Sequence, residues 1–323
     1  MKNSIRTRGN RAGFSLAELM IVVVILGIIG TLLTGVLMRQ QRFHRAVTSV
    51  TDSRARMRDV ATIMPTDLRS ISTIGSDILA MDETSVQFRA FVGTAVLCRF
   101  ASALVIEVPP RVLANGNVLT SWITPPIPGD VAYIYDDGAT TGNADDSWTQ
   151  VAITDTASAV DATWCPTTTV PAYTAAADNG ARRYRFTLAT AISQVTHTTG
   201  EPIRFAREVR YSAYQATDGQ WYVGYEKCTP NIVTTLPGAC ANREVLAGPI
   251  LPASTDTLTS GLFFVYYDQT GTRITSVASA NLIARINVGI RTSSESLRQA
   301  TADNKTIAGG DSLRFTIGIR NRI

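Results

Sequence analysis

Between Phe14 and Met38 the chain carries one charged side chain, Glu18. A carboxylate at the edge of a hydrocarbon-length apolar stretch is costly unless a cation meets it, so Glu18 is the first residue whose type and place call for a partner. The other candidates for chemistry are sparse. His44 falls in a helical pattern and His197 in a Thr-rich loop, with no cysteine or carboxylate at ligand spacing around either, so neither reads as catalytic or metal-bound. The chain has no G-x-S-x-G elbow, no Walker A sequence and no G-x-G-x-x-G after a strand, and its lysines are Lys2, Lys227 and Lys305. Asp136, Asp137, Asp145 and Asp146 gather near Gly138 and Gly142, but their spacing is not that of an EF-hand, and they read as a solvated acidic loop. The expectation is a protein that is not an enzyme and needs no cofactor or metal.

Four cysteines, Cys98, Cys165, Cys228 and Cys240, show no C-x-x-C spacing and read as disulfides in an oxidising compartment. Cys228 and Cys240 enclose a short Pro- and Gly-containing loop that closes at little entropic cost, which leaves Cys98 to pair with Cys165.

The elements that must position these groups begin with a helix. Leu19 to Met38 is uncharged, and a helix from Phe14 to Met38 would run about 37 Å against roughly 30 Å of hydrocarbon. Gly27, Gly30 and Gly35 permit close helix approach. The four basic residues Lys2, Arg6, Arg8 and Arg11 precede this stretch and end at Ala12 and Gly13, whereas a secretory signal places its small residues after the apolar run. Without those four, 26 of the 30 basic side chains face 26 acidic ones, so the pI near 9.0 gives no ground for polyanion binding. A local basic run, Arg39, Arg42, Arg45, Arg54, Arg56 and Arg58, reads as a solvated helix face or a lipid-headgroup contact, and nucleic acid is set aside as a partner.

Gly13, Phe14, Ser15, Leu16, Ala17, Glu18 and Leu19 resemble the class III signal of type IV prepilins and pseudopilins: a basic leader ending in Gly, then Phe, three residues, Glu and an apolar helix. The resemblance implies that prepilin peptidase cuts after Gly13 on the cytoplasmic side and methylates the new amine of Phe14. It also implies that Glu18 meets the Phe14 ammonium of a neighbouring subunit as a fibre grows. The blocks VRYSAYQATDGQWYVGYEKC and GLFFVYYDQTGTRI and the closing RNRI resemble the C-terminal half of W-type minor pilins and of J-type minor pseudopilins of type II secretion.

Beyond the span, Phe43, Val47, Val50, Met57, Ala61 and Met64 recur at helical spacing, with Pro65 as a kink or end. After about residue 75 short alternating runs take over, with strands expected at 86–91, 96–100, 104–108, 183–188, 208–214, 221–225, 262–267 and 282–290, a hairpin at Asp218-Gly219, and a closing strand carrying Leu313, Phe315, Ile317 and Ile319 on one face. Residues 120–180, rich in Ala, Thr, Asp, Gly and Pro, read as a surface insertion. The tyrosines from Tyr211 to Tyr267 read as core plus rim.

The expected fold is α+β: a long N-terminal membrane-spanning helix as stalk, and a globular head dominated by antiparallel β-sheet. Its parts are a cleaved leader 1–13, a span 14–38, an amphipathic stalk 39–75 and a head 76–323. The function that follows is a minor type IV pilin helping to initiate or cap a pilus, anchored in the inner membrane with the head in the periplasm and partnered by other pilins. A J-type pseudopilin and a tip-located binding protein or adhesin are the alternatives.

Overall fold

The computed structural model describes residues 15–72, 77–138, 145–169, 171–230, 237–292 and 312–319. The chain divides into two units, 1–52 with 294–309 and 53–293 with 310–323. One helix, α1 (Leu16–Arg69), opens it. From Leu16 to Met38 its apolar side chains are exposed on every face, the property of a helix whose surroundings are lipid or other helices. The stretch Leu16–Arg45 is long and apolar enough to cross a membrane.

The second half of α1 departs from the expected pattern in two ways. Phe43 and Val47 are exposed, and the side chain of Val50 lies outside those described. The buried row is Met57, Val60, Met64 and Leu68, with Ala61 only half-buried at its edge. Periodicity marks a face without fixing where its cover begins. Nor does Pro65 end the helix, which runs on to Arg69. Proline removes one backbone donor, and the full burial of Met64 and Leu68 on either side of it offsets that loss.

The head is built from two antiparallel sheets. The larger contains β1 (Ile78–Met81), β2 (Ser85–Val96), β3 (Arg99–Ser102), β4 (Val105–Val108), β5 (Ser121–Trp122), β6 (Val131–Asp136), β7 (Ser147–Ala159), β8 (Arg183–Leu188), β9 (Pro202–Gln215), β10 (Trp221–Thr229) and β11 (Ala239–Ile250). Its main path is β1-β2-β9-β6-β7-β8-β4-β3, with β10 and β11 branching from β9 and β5 attached to β2. The smaller comprises β12 (Leu262–Tyr267), β13 (Arg273–Ile274), β14 (Arg285–Arg291) and β15 (Ser312–Gly318), ordered β13-β12-β14-β15.

Strand β9 is the hinge of this arrangement. Along one edge it pairs with β2, and along the other with β6 through Ile203–Ala206 and then with β10 through Val209–Gln215. The turn to β10 uses Gly219 at φ 78°, the left-handed geometry that the Asp-Gly pair foretells. The expected strand at 96–100 is split, because β2 ends at Val96 and β3 starts at Arg99. The strand expected from Leu282 begins at Arg285, since Val277–Leu282 is a 3-10 helix capped by the Ser276 side chain.

Two cores result. The first gathers Met57, Val60, Met64 and Leu68 of α1 with Phe88, Val209, Tyr211, Val223 and the inner face of the small sheet, including Phe264, Ile286 and Ile317. The second gathers Val92, Leu97, Ile106, Trp122, Ile134, Val151, Phe186 and Phe205. Residues 120–180 are therefore not a surface insertion. They supply β5, β6 and β7, and Trp122 sits edge-on to Tyr184 with ring centroids 4.5 Å apart. Gly93 makes room for β5, since a Cβ there would meet the Ser121 carbonyl and the Trp122 backbone. The apolar runs in this stretch are short because the neighbouring strands provide the rest of the second core.

Candidate assembly site

Gly13 and Phe14 lie outside the described residues. Glu18 occupies the first turn of α1. Its carboxylate accepts from the backbone N–H of Ser15 at 2.9 Å, and the Ser15 hydroxyl accepts from the N–H of Glu18 at 3.2 Å. This reciprocal pair is a capping box, and the spelling Ser-x-x-Glu signals it. Ser15 is the side chain that completes this cap with Glu18. The carboxylate is thus held at the helix start, on the positive end of the helix dipole, with capacity left to accept a further donor. The chemistry open to it is attraction of a cation placed just beyond the helix N-terminus.

At its other end, α1 is pinned to the head by polar contacts as well as by packing. The Tyr211 hydroxyl of β9 donates to Asp67 at 2.6 Å. Burial raises the Asp67 carboxyl above its usual range, and the Tyr211 hydrogen bond and the Arg207 charge pull back against it. Just beyond the helix, Asp77 accepts from the Ser72 N–H at 2.7 Å and from Arg204 at 2.6 Å. Asp77 is likewise raised by burial, with Arg204 opposing. Tyr133, buried beside Asp77, has its hydroxyl pushed up to about 12, chiefly by burial.

Both cysteine pairs are joined. Cys228 and Cys240 face each other across β10 and β11 with Cα atoms 3.9 Å apart. Cys98 and Cys165 are buried, with a Cα separation of 5.5 Å, and tie the end of β2 to the loop after β7. The fully buried Glu107 holds that loop: one oxygen accepts from the Cys165 N–H at 2.9 Å and the other from Arg185 at 2.6 Å.

His197 has more company than its spacing suggested. It is buried, Nδ1 lies 2.9 Å from Glu201, and Nε2 lies 3.0 Å from the Thr149 hydroxyl of β7. Glu201, four residues along, supplies a carboxylate where none was expected. Its other oxygen accepts from the N–H of Thr198 at 2.6 Å, so the row of hydroxyl, imidazole and carboxylate folds residues 197–201 against β7. His44 is exposed on α1. In the acidic loop, residues 139–144 lie outside the described residues, while Tyr135 donates to Asp146 at 2.5 Å and the Gly138 N–H to Asp136 at 3.0 Å. No group of three or more His, Cys, Asp or Glu suited to a metal occurs among the described residues. Tyr211 and Tyr266 are core, and Tyr214, Tyr222 and Tyr267 are rim.

Residues 8–34 match the family model of the prokaryotic N-terminal methylation motif. The N-terminal segment is a type IV prepilin-like class III signal, running into an apolar helix and a β-sheet head. No curated protein and no solved structure matches the chain.

Proposed function

We propose that this chain is a minor structural subunit of a type IV pilus, processed between Gly13 and Phe14, held in the inner membrane by α1 with its head in the periplasm, and then drawn into the fibre near its tip. The observation that carries this reading is the match over residues 8–34, which spans Gly13, Phe14 and Glu18 and runs into a helix whose apolar side chains are exposed on every face. Glu18, held at the start of α1, supplies the carboxylate for the Phe14 amine of a neighbour, an attraction strengthened where water is scarce. The minor role follows from size. A head of roughly 250 residues with two cores fits at a fibre end more easily than at every repeat along it. Nothing in this role requires the chain to act as an enzyme.

Intact-mass analysis of the protein from its native host tests the reading. The expected species begins at N-methylated Phe14; a mature chain that keeps residues 1–13, or is cut after the apolar stretch, refutes it. Neighbouring genes for pilus retraction would accord with a pilus, and a cluster encoding a secretion ATPase and outer-membrane channel would move the assignment to a pseudopilus.

A further inference from the structure

The register of the small sheet places Phe263, Val265 and Tyr267 of β12 on one face with Arg273 of β13, Arg285, Asn287, Gly289 and Arg291 of β14, and Ser312, Arg314, Thr316 and Gly318 of β15. The opposite face, with Phe264, Ile286, Val288 and Ile317, belongs to the first core. Four arginines and no carboxylate therefore project from these strand positions on the outer face. Arg273 is partly neutralised by Glu83 at 3.3 Å, and Arg291 is held by the carbonyls of Ser260 and Thr257 at 2.7 and 2.8 Å. Arg285 and Arg314 are exposed, and among the described residues neither has a carboxylate at ion-pair distance. Each instead lies over an aromatic ring, Arg285 at 4.7 Å from Tyr267 and Arg314 at 5.7 Å from Phe263.

Two further features separate this face from an ordinary solvated one. Arg291 and Arg314 converge on the same Phe263 ring, and burial, then the neighbouring Arg314 charge, lower the Arg291 pKa while Asp256 pulls back against them. A surface built only for solubility intersperses both signs and avoids such a pair. In addition, the Thr316 hydroxyl donates to the Asn287 carbonyl oxygen at 3.0 Å, which leaves the Asn287 amide hydrogens to face outward. The depression lined by Phe263, Asn287, Val288, Arg314, Phe315 and Thr316, about 300 Å³, is thus edged by donors.

We propose that this outer face binds the phosphodiester backbone of nucleic acid. Donors without acceptors call for a ligand that only accepts, and phosphate oxygens meet that requirement. Arg285 and Arg291 stand about 20 Å apart along β14, and Arg314 lies between them on β15 opposite Gly289, so the cations are spread over a length that a single phosphate does not span and a chain of phosphates does. A protein partner would need an exposed apolar anchor, but Phe263 and Val265 are covered, at 7% and 8% exposure, and Tyr267 lies under Arg285. The same covering removes open rings for base stacking, so recognition is of the backbone without base preference. The charge balance over the chain gave no sign of this, because the arginines are scattered over some forty residues and only strand pairing assembles them.

Fluorescence anisotropy of a labelled random-sequence duplex and of labelled oligothymidine, titrated with the full mature chain in neutral detergent across a salt series, tests the proposal. Wild-type protein should bind both probes, more weakly as salt rises. Arg285→Gln with Arg314→Gln should weaken binding roughly tenfold or more and flatten the log–log salt slope by about 1.8 on the duplex and about 1.4 on oligothymidine. Arg285→Lys with Arg314→Lys keeps the charge and should retain most of the affinity; retention would also show that the two sites tolerate substitution without loss of fold. Arg39→Gln with Arg45→Gln removes the same charge from the exposed stalk and should change nothing. Absence of salt-dependent binding, an equal loss in the stalk double variant, or displacement by polyglutamate or anionic phospholipid vesicles as effective as by unlabelled DNA would each overturn it.

Discussion

Leu68 is the most direct test of how α1 is fixed to the head. It is fully buried in the last turn of the helix, in the cluster that also holds Met64, Ile71, Ile78 and Phe88. Truncation to alanine removes its buried methyl groups and leaves a cavity in that cluster, so Leu68→Ala should cost about 3 to 4 kcal/mol. For a unit of this size, each kcal/mol moves the melting temperature by roughly 2–4 °C, giving a drop of about 6–16 °C. Ile63, 44% exposed, is the internal control. Its truncation gives up little buried area and gains slightly in helix propensity, so Ile63→Ala should shift stability by less than about 1 kcal/mol. Urea and thermal unfolding of the full chain in detergent, followed by near-ultraviolet circular dichroism of the head aromatics, measures both. A Leu68→Ala cost below about 1 kcal/mol, or equal effects at the two positions, would refute the face assigned to the helix.

Glu18→Gln keeps an acceptor for the Ser15 N–H but removes the charge, so recovery in sheared fibres should fall while membrane levels hold; Ser15→Ala weakens the cap and should leave recovery largely intact. Equal recovery of wild type and Glu18→Gln would remove the assembly role. Asp67 has a raised carboxyl, so its contribution to stability is present below the unfolded value of 3.8 and is lost as pH rises through the folded value. Asp67→Asn, which can still accept from Tyr211, should therefore melt higher than wild type at neutral pH and no higher below that value; melts across pH decide it. Non-reducing peptide mapping of exported protein should recover Cys228 with Cys240 and Cys98 with Cys165, and free thiols at either pair would contradict that linkage.

What the sequence determined by itself was whatever depends on near neighbours in the chain. The signal around Gly13, the helix from Leu16 and the Asp218-Gly219 turn all lie within a few residues of their cause, and so were legible. Strands such as Arg183–Leu188 and Leu262–Tyr267 announced themselves by alternation and β-branched or aromatic content. Tertiary structure decided the rest. Alternation marks a strand but not its partner, so the place of β6 and β7 between β9 and β8 was hidden, and their modest apolar content suggested a surface insertion. Burial decided that α1 continues past Pro65, because the energy that offsets a lost helix bond comes from residues far along the chain. The arginine face of the small sheet has the same origin: charge adds up by distance in space, and pairing of β12 to β15 brings together side chains that their sequence positions keep apart.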